Sequence, residues 1–106
     1  MKNILRASIV VLALALVFSV YSFADAGADT FKGKCAACHG ATGAGDTTMG
    51  KNLKLRDLGS ADVQKQSDDE ITTIITKGKG KMPAYDGKLT KEQIGDIVKF
   101  IRSLKK

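Results

Sequence analysis

Cys35-Ala36-Ala37-Cys38-His39 places two thiols about one helical turn apart and an imidazole directly after the second. Thiols at this spacing can reach both vinyl groups of a single haem and tie it to the chain by thioether bonds. The imidazole of His39 is then carried under the porphyrin plane, where a ring nitrogen can bind iron. The run therefore reads as a c-type haem attachment site, with Cys35 and Cys38 as attachment points and His39 as an axial ligand.

Two other chemistries use the same residue types. A structural zinc site needs about four nitrogen or sulfur ligands, and the whole chain has two cysteines and one histidine. A thioredoxin-like redox pair is the stronger rival. It comes with a strand–helix–strand pattern, and no strand-like alternation of useful length occurs here. An ordinary structural histidine is the plain alternative for His39, and its place after the second cysteine argues against it.

The opposite face of the iron decides the function. Besides Met1, the chain holds Met49 and Met82. Met82 stands in Lys79-Gly80-Lys81-Met82-Pro83-Ala84-Tyr85, far enough from the motif for the loop to fold back over the haem. Pro83 pushes the preceding residue away from helical geometry. Met82 is thus set on a stiff extended segment, suited to hold a weak thioether ligand in place. Met49 lies close after the motif and is expected to pack near the haem edge. If neither bound, the iron would be five-coordinate and open to a small gas or peroxide.

The elements that must position these groups are helical. Phe31 and the motif after it suit a first helix ending near the haem. Residues 41–50, rich in glycine and threonine, read as loop. Residues 52–66 suggest a short helix over 53–58 and a further turn after Ser60. Ser67 and Glu70 form a capping box, followed by Ile71, Ile74 and Ile75 on one face and by Lys77 and Gly78 as a stop. Thr90 and Gln93 form a second box, with Leu89 and Ile94 placed as a hydrophobic staple. Ile94, Ile97, Val98, Ile101 and Leu104 make one stripe, with Phe100 beside it.

Lys2 and Arg6, an apolar run over residues 7–23 and small residues after it have the layout of a secretory signal peptide. Cleavage after Ala24 fits, leaving residues 25–106 as one small domain; cleavage after Ala26 or Ala28 also fits. The apolar run is close in length to a membrane span, so an uncleaved anchor is the alternative. Export to the periplasmic space follows from the first reading. A chain of this size needs a staple for its core, and the haem would be that staple.

The formal charge of +6 falls by two when Lys2 and Arg6 are removed. A basic surface suits an acidic protein partner or an anionic membrane face; nucleic acid is excluded for an exported chain, and membrane contact requires a retained N-terminal segment. Lys77, Lys79 and Lys81 flank the Met82 loop, either as a solvated helix end or as a ring that steers an acidic redox partner. Residues 45–52 approach a phosphate-binding loop but carry Asn52 where serine or threonine is needed. No paired carboxylates, serine–histidine–aspartate set or second histidine suggests hydrolytic or acid–base catalysis, so the chain does not read as an enzyme.

Taken with Gly27 and Phe31 before the motif, the Met82-Pro83 loop, and Asp96-Ile97-Val98-Lys99-Phe100 near the end, the chain resembles the small class I cytochromes c of bacteria. The resemblance runs over the whole mature domain. It implies an all-α fold, about three to five helices wrapped around one covalently attached haem c. It also implies that the first and last helices cross, with Gly27 and Phe31 on one side and Ile97 and Phe100 on the other. His39 and Met82 are then the axial ligands, and the function is soluble one-electron transfer between respiratory or photosynthetic complexes. Two other readings are a five-coordinate haem sensor or small peroxidase, and a fixed electron-transfer subunit of a larger oxidoreductase. No tryptophan is present to hydrogen-bond a haem propionate, which leaves Tyr85 or a loop lysine for that role.

Overall fold

The computed structural model describes residues 23–106, with side chains from Ala26 onward. The expected signal peptide lies almost wholly outside the described residues. Six helical segments follow in order: α1 (Phe23–Lys34), α2 (Ala36–His39), α3 (Thr48–Asn52), α4 (Ala61–Gln64), α5 (Asp68–Lys77) and α6 (Lys91–Ser103). The described residues contain no strand, only isolated bridges at Lys79–Met82 and Asp86–Leu89. No helix among them is long and apolar enough to cross a membrane.

The two long-range partners are the first and last helices. They cross at Gly27, where a Cβ would stand 2.2 Å from the Asp96 carbonyl oxygen. Only a residue without a side chain permits that approach. One turn on, Phe31 and Phe100 pack with ring centroids 4.9 Å apart and planes inclined by 49°. Phe31 and Ile97 are each 1% exposed and form the centre of the core. Ile94, Val98 and Ile101 extend it along α6, and Ile71, Ile75, Val63 and Leu89 close it from the other elements. Each large side chain so buried contributes about 1.5–3 kcal/mol.

Both capping boxes form. The Glu70 N–H donates to Ser67 Oγ at 3.1 Å and the Ser67 N–H to Glu70 Oε1 at 3.3 Å. At α6 the Gln93 N–H donates to Thr90 Oγ1 at 3.1 Å and the Thr90 N–H to Gln93 Oε1 at 2.9 Å. Leu89 and Ile94 are both buried, as the staple requires. Helix α5 stops at Gly78, in the left-handed region at φ 76°; a Cβ there would also stand 2.6 Å from the Met82 carbonyl oxygen.

The middle of the chain departs from its sequence reading. The helix falls over Thr48–Asn52, partly inside the stretch read as loop, and the expected helix over 53–58 is absent. Thr47 sets the earlier start: its hydroxyl accepts from the Gly50 N–H at 2.9 Å and donates to the Cys38 carbonyl at 2.6 Å. Lys54, at φ 55°, then ends the helix in a left-handed conformation, which turns Leu55 and Leu58 to the cavity described below. The turn after Ser60 is α4, as expected.

Arg102 on α6 holds this middle segment down. Its Nη1 donates to the Gln64 carbonyl at 2.8 Å, its Nη2 to the Gln66 carbonyl at 2.5 Å, and its Nε to Asp68 Oδ1 at 2.8 Å. Gln64 completes the clamp by donating from Nε2 to the carbonyls of Leu58 and Ile101 at 2.8 and 2.9 Å.

Candidate haem site

Helix α1 runs almost directly into the motif. The Cys35 N–H donates to the Phe31 carbonyl at 2.8 Å, and the His39 N–H to the Cys35 carbonyl at 3.0 Å. The single turn α2 therefore holds Cys35, Cys38 and His39 in fixed relative register. Beside it lie two adjoining cavities of about 200 and 470 Å³. The inner one is mostly apolar, walled by Phe31, Val63, Ile71, Ile75, Ile97 and Ile101 among others. The outer one opens between Lys34, Lys54, Lys81, Pro83 and Tyr85. Cys35, His39, Leu55, Lys79 and Met82 line both, and Cys38 lines the outer one.

Met82 reaches this wall through a tight turn. The Lys79 N–H donates to the Met82 carbonyl at 3.2 Å, and the Met82 N–H to the Lys79 carbonyl at 3.0 Å. Behind the turn, the N–H groups of Tyr85 and Asp86 donate to the Ile75 and Thr76 carbonyls at 3.1 and 3.0 Å, which ties the loop to the end of α5.

The electrostatics separate the candidate chemistries. Burial, and then the neighbouring Cys38, pushes the Cys35 thiol up to about 11 from 9.0. A redox-active dithiol needs its attacking sulfur as thiolate near neutral pH, and Cys35 is poorly set for that role. Among the described residues no group of three or more histidine, cysteine or acidic side chains could hold a metal ion on protein ligands alone, which removes the zinc reading. Burial also pushes the His39 imidazole below its ordinary value and keeps the neutral, ligating form. Its buried Nδ1 meets no hydrogen-bond partner, and the ring packs 6.3 Å from Phe31. A neutral imidazole with a buried ring nitrogen that meets no protein partner, on the wall of a mostly apolar cavity that Cys35 and Met82 also line, fits a haem.

Two expectations change. Met49 sits on α3 with 51% of its surface exposed and does not line either cavity, because the helix starting at Thr47 turns it outward. The Tyr85 hydroxyl donates to the Lys34 carbonyl at 3.0 Å; its proton is taken by the main chain rather than left for a propionate. Lys79 and Lys81 do line the cavity wall, whereas Lys77 is exposed at the end of α5 without lining it. Sequence reasoning missed Lys34, which directly precedes Cys35, and Lys54, Arg56 and Gln66, which join the lining from later in the chain. For Lys54 and Arg56 the sequence signal is the alternation with the apolar Leu53, Leu55 and Leu58; Gln66 has none.

A short helical domain whose first and last helices cross over a Cys-x-x-Cys-His turn, with an apolar slot beside it, defines a c-type haem protein. The family described as "Cytochrome C oxidase, cbb3-type, subunit III" matches residues 22–101. Among curated relatives, the cytochrome c6 of Picosynechococcus sp. is 34% identical over 95% of this chain and 92% of its own. That of Thermosynechococcus vestitus is 36% identical over 89% of this chain and 86% of its own. The solved KustC0563 c-type cytochrome superposes with a TM-score of 0.70 at 33% identity, covering 76% of this chain and 98% of that one. The chain belongs to the class I cytochromes c. It is a monohaem electron carrier whose cofactor is covalently bound haem c.

Proposed function

We propose that Cys35 and Cys38 each carry one thioether bond to the haem and that His39 and Met82 are its axial ligands. The protein, exported to the periplasmic space with residues 1–24 removed, then carries single electrons between membrane-bound respiratory or photosynthetic complexes. The observation that carries this reading is that Met82, remote in sequence from His39, lines both cavities together with it. The haem supplies one-electron exchange between ferric and ferrous iron, at a potential raised by mixed nitrogen and sulfur ligation.

The chain's own residues do the rest. Phe31, Val63, Ile71, Ile75, Ile97 and Ile101 exclude water from the inner cavity. The turn at Lys79–Met82 presents the thioether. Lys34, Lys54, Lys79 and Lys81 make the mouth positive, and Lys77 adds charge nearby. Such a rim steers an acidic redox partner into fast, weak encounters that slow as salt rises. Measured electron-transfer rates to an acidic partner should fall between low and physiological ionic strength, and fall less in Lys79→Gln/Lys81→Gln.

The test of the ligands is the visible spectrum of the oxidised, haem-loaded protein beside that of Met82→Ala. A weak sulfur-to-iron charge-transfer band at the red end, lost in the variant, supports the assignment. A wild-type spectrum that lacks the band and shows high-spin, ligand-accepting iron sinks it.

The description of the matched family as an oxidase subunit favours one other reading, a fixed subunit anchored by a retained N-terminal segment. N-terminal sequencing of the haem-loaded protein decides between the two. A mature terminus near Asp25 supports the mobile carrier, and an intact Met1 terminus supports the subunit.

A further inference from the structure

Tyr85 joins three parts of the domain. Its backbone N–H donates to the Ile75 carbonyl at 3.1 Å, and its carbonyl accepts from the N–H groups of Lys88 and Leu89, both at 3.0 Å. The main chain at this residue thus links the end of α5 to the run into α6. The side chain turns the other way. Its hydroxyl donates to the Lys34 carbonyl at 3.0 Å, across 51 positions of sequence. Lys34 is the last residue of α1, directly before Cys35. The ring lines the outer cavity with Met82, Cys35, Cys38 and His39.

The acceptor is well chosen. A carbonyl in the last turn of a helix has no partner within that helix, and it lies at the negative end of the helix dipole. The loop carrying Met82 is otherwise tied by the hydrogen bonds of its own turn and by those to α5. The Tyr85 hydroxyl ties it to the haem-attachment segment.

We propose that Tyr85 is a positioning residue for Met82: its hydroxyl latches the Met82 loop to the end of α1 and so sets how often the loop opens. The inference rests on Met82 being the axial ligand. The hydrogen bond is solvent-exposed, so opening exchanges it for bonds to water and the latch is worth no more than the net value of one hydrogen bond. That corresponds to roughly a two- to tenfold change in the opening equilibrium. The ring itself packs against the core and is retained in Tyr85→Phe, which removes only the oxygen.

The experiment uses the ferric holoprotein and imidazole as the entering ligand. At saturating imidazole the binding rate is limited by departure of Met82 from the iron. Wild type, Tyr85→Phe and Phe100→Leu are compared; the last thins the α1–α6 crossing and leaves the Tyr85 hydrogen bond in place. The expected result is a limiting rate raised roughly two- to tenfold in Tyr85→Phe, with Phe100→Leu close to wild type despite a lower unfolding midpoint. An unchanged rate in Tyr85→Phe overturns the latch. So does an equal rise in Phe100→Leu, because the rate would then follow global stability. If wild type lacks the sulfur-to-iron band, the ligand assignment fails and the latch with it; a band present with unchanged rates overturns the latch alone.

Discussion

Gly27 and Asp96 meet backbone to backbone where α1 crosses α6, with no room for a Cβ between them. This contact sets the depth of the crossing, and with it the Phe31–Phe100 stack and the wall that Phe31 and Ile97 present to the inner cavity. Gly27→Ala should force the helices apart and cost about 1–3 kcal/mol, the usual range for overpacking. Gly95→Ala is its counterpart in α6: a Cβ there meets nothing within 4 Å, and removing a helical glycine should stabilise by about 0.4–1 kcal/mol. Denaturant titration of both variants checks the opposite signs.

Arg102 offers a second test, because its hydrogen bonds differ in kind. Those to the Gln64 and Gln66 carbonyls hold the segment that carries Val63 and Gln66 to the cavity. The Asp68 pair is exposed on the acidic side. Arg102→Met should therefore cost about 2 kcal/mol, within the range for charged hydrogen bonds, whereas Asp68→Ala should cost under about 1 kcal/mol. Unfolding midpoints of the two variants compare them directly.

Thr47 couples the attachment turn to α3 through two hydrogen bonds. Thr47→Val keeps the shape and leaves the Cys38 carbonyl and the Gly50 N–H without their partner. The expected loss is about 1–2 kcal/mol. Amide exchange should show it as faster opening at Gly50 and Lys51, with α6 amides much less affected.

On the acid side, Asp57 gives stability a pH dependence from the surface. The side-chain hydrogen bond from Lys106, and then that from the Gly59 N–H, hold the Asp57 carboxyl below its ordinary value of 3.8. A carboxylate depressed in the folded state contributes stability that is present above the unfolded value and lost as pH falls through the folded one. Thermal midpoints should fall on acidification below about pH 4, the unfolded aspartate value. Asp57→Asn should flatten that part of the profile.

Much of the site is legible in the chain because its signals are local. A Cys-x-x-Cys-His run, a Ser67/Glu70 or Thr90/Gln93 box and an Ile94–Ile97–Val98–Ile101 stripe each act within one or two helical turns, where sequence spacing and spatial spacing coincide. The proposed axial pairing of His39 with Met82 rests on family resemblance and a stiff Met82-Pro83 step, and both residues line the same two cavities. What only the tertiary structure decided lies between elements. The register of α3 was set by the Thr47–Cys38 contact, and the outward turn of Met49 followed from it. The Arg102 clamp and the Tyr85–Lys34 bond join segments far apart in sequence. Their energies depend on distances that appear only once α1 and α6 have crossed, so residue types at those positions carry no local pattern. The sequence by itself determined the chemistry of the attachment turn and the helices that bear it. The shape of the cavity and the hold on Met82 were decided by packing, because a long-range hydrogen bond or close approach has no periodicity for a sequence to display.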